Sequence, residues 1–185
     1  DDTDPCRPPL SGIDQRHVLP VKQSDLLPKD WSKEQHVLAF LKEFGLKGLD
    51  DSTVFRLPGN YPLVVNKWLF TEKATGHLKA AWSDKGPYMK LLAWTIKDPY
   101  EAWWAPVEIH KKGQAPRFYF GLRLIRPFQL PSGKGIGGYG SFTLFGNEWH
   151  GATAFAPRAG RTQKAMLDYL ERQRGGVLIY RETLK

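Results

Sequence analysis

Three runs of period-two alternation between residues 113 and 157 constrain the fold of this chain more than any other feature. In the first run, residues 117–124, every even position is apolar. Successive side chains of a β-strand point to opposite faces of a sheet, so the run predicts a strand with one buried face. The residues predicted to enter the core are Phe118, Phe120, Leu122 and Leu124. The opposite, polar side then carries Arg117, Tyr119, Gly121 and Arg123.

The two later runs extend this pattern. Residues 141–144 alternate two apolar side chains with two hydroxyls, including that of Thr143, and residues 151–154 set Thr153 apart from two alanines. The predicted core thereby gains Phe142 and Leu144. Two cations, a phenol and three hydroxyls on one sheet face suit an anionic ligand. The alternative is the solvated side of a half-covered antiparallel sheet.

The rest of the chain divides into a lead-in and one domain. Residues 1–29 contain five prolines and no sustained periodicity, which predicts an irregular N-terminal lead-in. Residues 30–185 predict a single α+β domain, an antiparallel β-meander with helices packed on the face of Phe118 and Phe120. Helical spacing and capping residues place the helices at 33–43, 87–96 and 161–174.

A glycine-rich stretch, residues 131–140, separates two of the predicted strands. Its five glycines are not followed by a helix start, so a phosphate-binding loop of the dinucleotide type is not favoured. The stretch instead predicts a long hairpin loop that acts as a mobile lid.

The charge balance narrows the class of partner. The chain has 27 Lys+Arg against 19 Asp+Glu, a formal net charge of +8. The cations concentrate in the second part of the sequence, whereas the first ten residues hold three aspartates. An excess of this size favours polyanions such as nucleic acid, and the second part is the candidate working region.

Several classes of protein are not favoured by the composition. Cys6 is the single cysteine, which leaves no internal disulfide, and the five histidines are scattered without zinc-ligand spacing. No acidic pair is placed for metal chemistry, so no metal and no cofactor is predicted. No apolar run approaches the ~20 residues needed to span a bilayer, and the acidic N-terminus shows no signal peptide.

Five segments of the sequence carry a resemblance to a known family. They are residues 62–70, 76–79, 91–103, 146–155 and 174–180, which include an Asp-Pro-Tyr-Glu run and a Trp-x-Gly-x-Thr-Ala-Phe run. Together they resemble the C-terminal domain of Mu-type phage minor head proteins, which is grouped with the phage-barnase-EndoU-colicin-RelE nucleases. The likeness extends from about Asp30 to Arg181.

The resemblance implies a nuclease-like fold with metal-independent ribonuclease activity. Such domains occur in phage head proteins and at the toxic C-termini of bacterial polymorphic toxins. One departure concerns the chemistry: the run His77-Leu78-Lys79 stands where relatives often carry a Lys-Ile pair. The residue that transfers the proton is therefore left open.

The polar residues suit this chemistry. A metal-free ribonuclease removes a proton from the 2′-hydroxyl, stabilises a phosphorane and protonates the leaving oxygen. Histidine carries protons near neutral pH, so His77 is the first candidate acid or base. Arg117 and Arg123 are candidates to bind phosphoryl oxygens, and Tyr119 and Thr153 to donate hydrogen bonds to the scissile phosphate.

Further residues have secondary or alternative roles. Lys79 and Thr143 are candidate substrate contacts, and Gly121 is expected to leave room for an approaching backbone. Glu101 is either a substrate-binding group or base, or a structural hydrogen-bonding group at a strand entrance. The less favoured alternatives to His77 are His110 and His150.

Three functions fit these features. The first is a ribonuclease toxin or effector, the second a non-catalytic phage head morphogenesis domain, and the third a nucleic-acid-binding module. RNA is the expected partner, an acidic immunity protein would accompany a toxin, and the free chain is expected to be a monomer. A toxin would act in the cytoplasm of a target cell, and a phage protein would be virion-associated.

Overall fold

The first two alternating runs lie in central strands of a six-stranded mixed sheet, and the third, residues 151–154, lies outside the described residues after Gly151. The computed structural model describes residues 7–71, 85–145, 148–151 and 162–184. The strands are β1 (Leu19–Pro20), β2 (Thr53–Leu57), β3 (Tyr61–Val65), β4 (Glu101–Ile109), β5 (Arg117–Gln129), β6 (Gly135–Phe145), β7 (Glu148–Gly151) and β8 (Val177–Arg181). The α-helices are α1 (Lys33–Lys42), α2 (Met89–Lys97) and α3 (Gln163–Glu171). Short 3-10 helices cover Leu10–Gly12, Gln15–His17, Gln23–Asp25, Lys67–Phe70 and Gly86–Tyr88.

The sheet has the strand order β7-β6-β5-β4-β8, and β1 pairs with β5 in parallel. The neighbours in this order are antiparallel, so β1 makes the sheet mixed. Strands β2 and β3 form a separate hairpin that turns through Gly59 and Asn60, both with positive φ. The predicted α+β class is confirmed. No helix among the described residues is long and apolar enough to span a membrane.

Local signals set where the helices begin. Ser32 Oγ accepts a hydrogen bond from the Gln35 amide at 3.1 Å, and Gln35 Oε1 accepts one from the Ser32 amide at 2.8 Å. This reciprocal pair satisfies two amides that a helix start leaves without partners. Thr162 starts α3 in a similar way, since its Oγ1 accepts from the Ala165 amide. Both starts lie within two residues of the predicted ones.

Helices lie on both faces of the sheet, which corrects the prediction that they cover one. The core face carries Leu122, Leu124 and Phe142; the polar face carries Arg117, Tyr119, Arg123, Ser141 and Thr143. Consecutive residues of β6 alternate between the faces, and a Cβ at Gly137 would meet Leu170 of α3, whereas one at Gly138 would meet Thr95 of α2. Helix α3 therefore packs on part of the polar face, and α2 packs on the core face.

Only part of the predicted core is buried. Leu122 and Phe142 are fully buried and Leu144 is half-buried, but Phe118 and Phe120 are 68% and 55% exposed, so their prediction as core is wrong. The reason is length. Strand β5 has 13 residues and spans roughly 40 Å, whereas the nine residues of α2 span roughly 14 Å. The start of β5 extends beyond the layer that covers its middle.

The glycine-rich stretch is mostly strand, so the predicted ten-residue lid is also wrong. The turn is short, with the Leu130 amide bonded to the Lys134 carbonyl at 2.8 Å, and β6 begins at Gly135. A Cβ at Gly135 would lie 2.9 Å from Met166, and one at Gly138 would lie 2.0 Å from the Thr95 hydroxyl. These glycines let helices pack closely against a strand, which is the reason for their density here.

The described part of the lead-in, residues 7–29, contains short 3-10 helices and β1, and it packs into the core. It buries Leu10, Val18, Val21 and Leu27. Two arginines of the sheet region hold it: Arg174 Nη1 donates to the Pro8 carbonyl at 2.8 Å, and Arg126 Nη1 donates to the His17 carbonyl at 2.9 Å. Residues 7–29 are thus joined to the domain that follows them.

Candidate functional site

The register of three strands brings polar residues together on the polar face. Gly121 of β5 lies opposite Thr143 of β6, and Thr143 lies opposite His150 of β7. Directly opposite residues of an antiparallel pair share one face of the sheet. Arg123 is opposite Ser141 in the same way. The register thereby creates a row of positions that runs across the sheet through Gly121.

Tyr119 and Arg123 flank this row. Each is two residues from Gly121 along β5, a separation of roughly 7 Å. Diagonal neighbours across antiparallel strands are also roughly 7–8 Å apart, within the reach of long side chains. We call the four positions Tyr119, Arg123, Thr143 and His150 the cross-strand cluster. Positions 119 and 123 are diagonal neighbours of Thr143, and position 150 is the register partner of Thr143 on β7, all on one face of the sheet.

The Arg123 guanidinium is held by the end of α3. The side chain is half-buried, and its Nη1 donates to the Gln173 carbonyl at 3.3 Å. Gly175 follows at the same place, where an added Cβ would be 3.7 Å from that nitrogen. A guanidinium has five N–H donors in a planar fork, and this bond uses one. Arg123 is thereby oriented by protein while most of its donors point elsewhere.

Arg117 lies further out on the same face. It is exposed and lines a small pocket under the β4–β5 turn together with Lys111, Gln114 and Tyr119. Arg117 and Arg123 are six positions apart on β5, a distance of roughly 20 Å between their backbones. The two arginines therefore suit different phosphates of one strand and not a single phosphate.

Glu101 has two arginine partners below the surface. Its carboxylate is fully buried and accepts two bonds from Arg174, each 2.8 Å, and one from Arg181 Nε at 2.8 Å. Trp103 Nε1 adds a bond of 3.1 Å. Burial on its own would raise the pKa of Glu101, but the hydrogen bonds and charge of Arg174, with Arg181, outweigh it and lower the pKa. These contacts match the structural alternative for Glu101.

Gly121 does not leave space for a ligand. A Cβ there would lie 2.5 Å from Val107 Cγ2 and 3.1 Å from the Ala105 carbonyl oxygen. The side chain of the neighbouring strand occupies the volume that a larger residue would need. The expected room for an approaching backbone is therefore absent, and Gly121 serves the packing of β4 against β5.

Three predicted site residues, His77, Lys79 and Thr153, lie outside the described residues. Of the alternative histidines, His110 is exposed at the far end of β4, with its Nε2 2.8 Å from Glu108 Oε1. His110 follows Ile109, the residue that pairs with Arg117, so it lies far from Thr143 along the strand direction. His150 is the histidine that the register assigns to the row through Gly121.

Sequence reasoning missed the buried arginines. Arg126 is fully buried, and its Nη1 and Nη2 donate to the two carboxylate oxygens of Glu182 at 2.9 and 2.7 Å. A signal for it was present: Arg126 occupies an even position in β5, where the alternation predicts a core residue. A cation at a core position indicates a buried ion pair.

Within the described residues, no group of three or more His, Cys, Asp or Glu is placed to hold a metal ion.

The polar face of this α+β domain carries half-buried Tyr119 and Arg123, whereas Thr143 between them is buried, with 7% of its surface exposed. Comparison with protein families gives a specific assignment. Residues 39–181 match the phage-barnase-EndoU-colicin E5/D-RelE-like nuclease 2 family, and the chain belongs to that family. This confirms the grouping with nucleases that the sequence resemblance predicts. Comparisons with curated proteins and with solved structures found no match.

Proposed function

We propose that the chain is a metal-independent endoribonuclease of the toxin or effector kind, and that it cleaves RNA at the cross-strand cluster. Membership of a nuclease family supports nucleolytic activity. The observation that carries the proposal is the register that aligns Gly121, Thr143 and His150, with Arg123 one step away. The toxin role is supported by the resemblance to the C-termini of polymorphic toxins, and it implies an acidic immunity protein as partner.

In the proposed reaction the 2′-hydroxyl of one nucleotide attacks its own 3′-phosphorus. The P–O bond to the next nucleotide breaks, the products are a 2′,3′-cyclic phosphate and a 5′-hydroxyl, and the attacking hydroxyl loses the proton that the leaving oxygen gains. Histidine is suited to both proton transfers near neutral pH. His150 and His77 are the two candidates, the first from its register and the second from its place in the resembling segment.

The other members of the cluster act on charge and orientation. The Arg123 guanidinium offers parallel N–H donors to two oxygens of the phosphorane, which stabilises the extra negative charge. Thr143 and Tyr119, with Thr153, orient the scissile phosphate. Arg117, roughly 20 Å along β5, and Lys79 bind phosphates further along the strand.

The test is incubation of the purified chain with RNA in EDTA. We expect cleavage to continue, with products ending in 2′,3′-cyclic phosphate, and a substrate with 2′-deoxy at the cleavage position to be inert. His150→Ala and His77→Ala are compared with His110→Ala, whose imidazole lies at the far end of β4. Cleavage that requires added Mg²⁺, or cleavage of the deoxy substrate, would contradict the mechanism. No cleavage of any RNA would favour the non-catalytic alternatives.

A further inference from the structure

Within the part of the chain that the structure describes, the start of β5 and the end of β4 form a two-stranded ribbon. Strand β6 pairs with β5 from Gly121 onward, and β8 pairs with β4 only as far as Trp104. Residues 106–109 and 117–120 therefore pair only with each other among the described residues. The ribbon extends roughly 13 Å beyond the other described strands of the sheet. Pro106, Glu108, Phe118 and Phe120 on one of its faces are exposed, and Val107, Ile109 and Tyr119 on the other are half-buried.

One face of the ribbon continues a row of aromatic rings. The centroids of Tyr61 and Trp104 are 6.0 Å apart, and those of Trp104 and Phe120 are 5.0 Å apart. Phe118 stands two residues beyond Phe120 on the same face of β5. Exposure rises along the row, since Tyr61 and Trp104 are half-buried while Phe120 and Phe118 are 55% and 68% exposed. Two rings thus stand in solvent on a rigid strand, with Phe120 fixed against Trp104.

The end of the ribbon is positively charged. Lys111 and Lys112 lie in its turn, and Arg117 starts β5. The acidic residue of the ribbon, Glu108, is paired with His110 at 2.8 Å. Exposed rings beside several cations are unusual for a protein-binding surface, because lysine is depleted at the centres of protein interfaces. The combination is typical of proteins that bind single-stranded nucleic acid, in which cations contact phosphates and bases stack on aromatic rings.

We propose that the ribbon is a base-stacking platform for single-stranded RNA, with Phe118 and Phe120 as the stacking residues. This inference rests on the proposed function for its choice of RNA. Residues alternate along β5, so Arg117 lies on the sheet face of the cross-strand cluster while Phe118 and Phe120 lie on the opposite face. A strand that passes around the ribbon would place phosphates on one face and bases on the other. The platform would select unpaired RNA, because the bases of a duplex are already stacked.

The test measures binding separately from cleavage. The ligand is a fluorescent single-stranded oligonucleotide with 2′-O-methyl groups, which lacks the nucleophile, and its affinity is followed by anisotropy. Phe118→Ala/Phe120→Ala should weaken binding at least tenfold, since the variant removes both rings on which bases would stack. The double Tyr variant should stay within about threefold of wild type because it keeps both rings, whereas the double Leu variant should behave like the Ala variant.

Val54→Ala is the matched control, because Val54 is also 55% exposed and lies on β2, away from the ribbon. All variants should melt as the wild type does. Unchanged affinity in the double Ala variant would overturn the platform. An equal loss for single-stranded and duplex RNA would overturn it as well, and so would self-association of the wild type that the Ala variant abolishes without a change in RNA affinity.

The platform and the proposed ribonuclease activity can fail independently. A wild type that binds single-stranded RNA through the two phenylalanines but cleaves none would sustain the platform and contradict the activity. Cleavage of RNA by the wild type, together with unchanged RNA binding in the double Ala variant, would support the activity and contradict the platform.

Discussion

Two pairs of arginines show how differently this fold uses the same side chain. Arg126 and Arg174 have almost no exposed surface, and each is bound by carboxylates and by a carbonyl of the lead-in. Arg117 is exposed, and Arg123 is half-buried with one bond to a carbonyl. The first pair joins distant segments, and the second lies on the polar face of the sheet, where we propose that RNA binds. A net charge of +8 is therefore not the charge that a substrate meets.

The largest expected effect is on the buried pair. Arg174→Met should lower the free energy of unfolding by about 3–5 kcal/mol, because it leaves the buried Glu101 carboxylate with less compensating charge. Urea denaturation followed by circular dichroism measures this. Arg117→Met is the matched control and should change stability by less than about 0.5 kcal/mol. Equal urea midpoints for Arg174→Met and Arg117→Met would show that burial does not determine how much each arginine contributes to stability.

Arg123→Ala should have the next largest effect, on cleavage and not on folding. Loss of a group that stabilises transition-state charge typically lowers the rate ~100-fold or more, which corresponds to about 2.7 kcal/mol. Arg123→Lys should recover only part of the rate, since an ammonium keeps the charge but loses the planar fork. The measurement is single-turnover cleavage in EDTA. Full activity in Arg123→Ala would remove Arg123 from the mechanism and leave the family assignment intact.

Acid should destabilise the fold through the two buried arginine–glutamate pairs. The pKa of Glu182 is lowered chiefly by the hydrogen bonds from Arg126, and that of Glu101 is lowered by Arg174 and Arg181 in spite of burial. A carboxyl with a lowered pKa in the folded state stabilises the fold above its ordinary value of 4.5, and this stabilisation is lost as pH falls. The melting temperature should therefore drop below pH 4.5. A Glu101→Gln variant should show a shallower drop, and an identical profile would contradict this origin.

The smallest effect is expected for the exposed arginine, Arg117. Arg117→Ala should weaken RNA binding modestly and equally for all sequences, because a phosphate contact carries no base information. The slope of log affinity against log salt should decrease by about 1. An affinity titration at several salt concentrations measures both quantities. A flat salt dependence in the wild type would argue against a basic binding surface.

The features that sequence predicted well are local ones. The alternation in residues 117–124 gave the correct partition of Tyr119 and Arg123 from Leu122, and Ser32 marked a helix start through contacts within one turn. The exposure of Phe118 and Phe120 could not be predicted in the same way. It depends on whether another element reaches the start of β5, and the alternation of one strand contains no information about its neighbours.

The errors elsewhere have a similar origin in tertiary contacts. Glycines at Gly135 and Gly138 favour a turn locally, but the approach of Met166 and Thr95 requires them in a strand. The bond between Arg126 and Glu182 joins residues 56 positions apart, and no periodicity connects them. The pairing of Thr143 with His150 needs the register of β6 and β7, which the sequence alone did not fix.

The attachment of the lead-in has a consequence for the order of events during synthesis. His17 bonds to Glu182, 165 residues later, and Pro8 bonds to Arg174, 166 residues later. At translation rates of about 5–20 residues per second, the lead-in emerges from the ribosome roughly 10–30 s before its last partners do. Its apolar residues, including Leu10 and Val21, have no completed sheet to pack against in that interval. These apolar side chains therefore remain without their native packing partners until β8 is made.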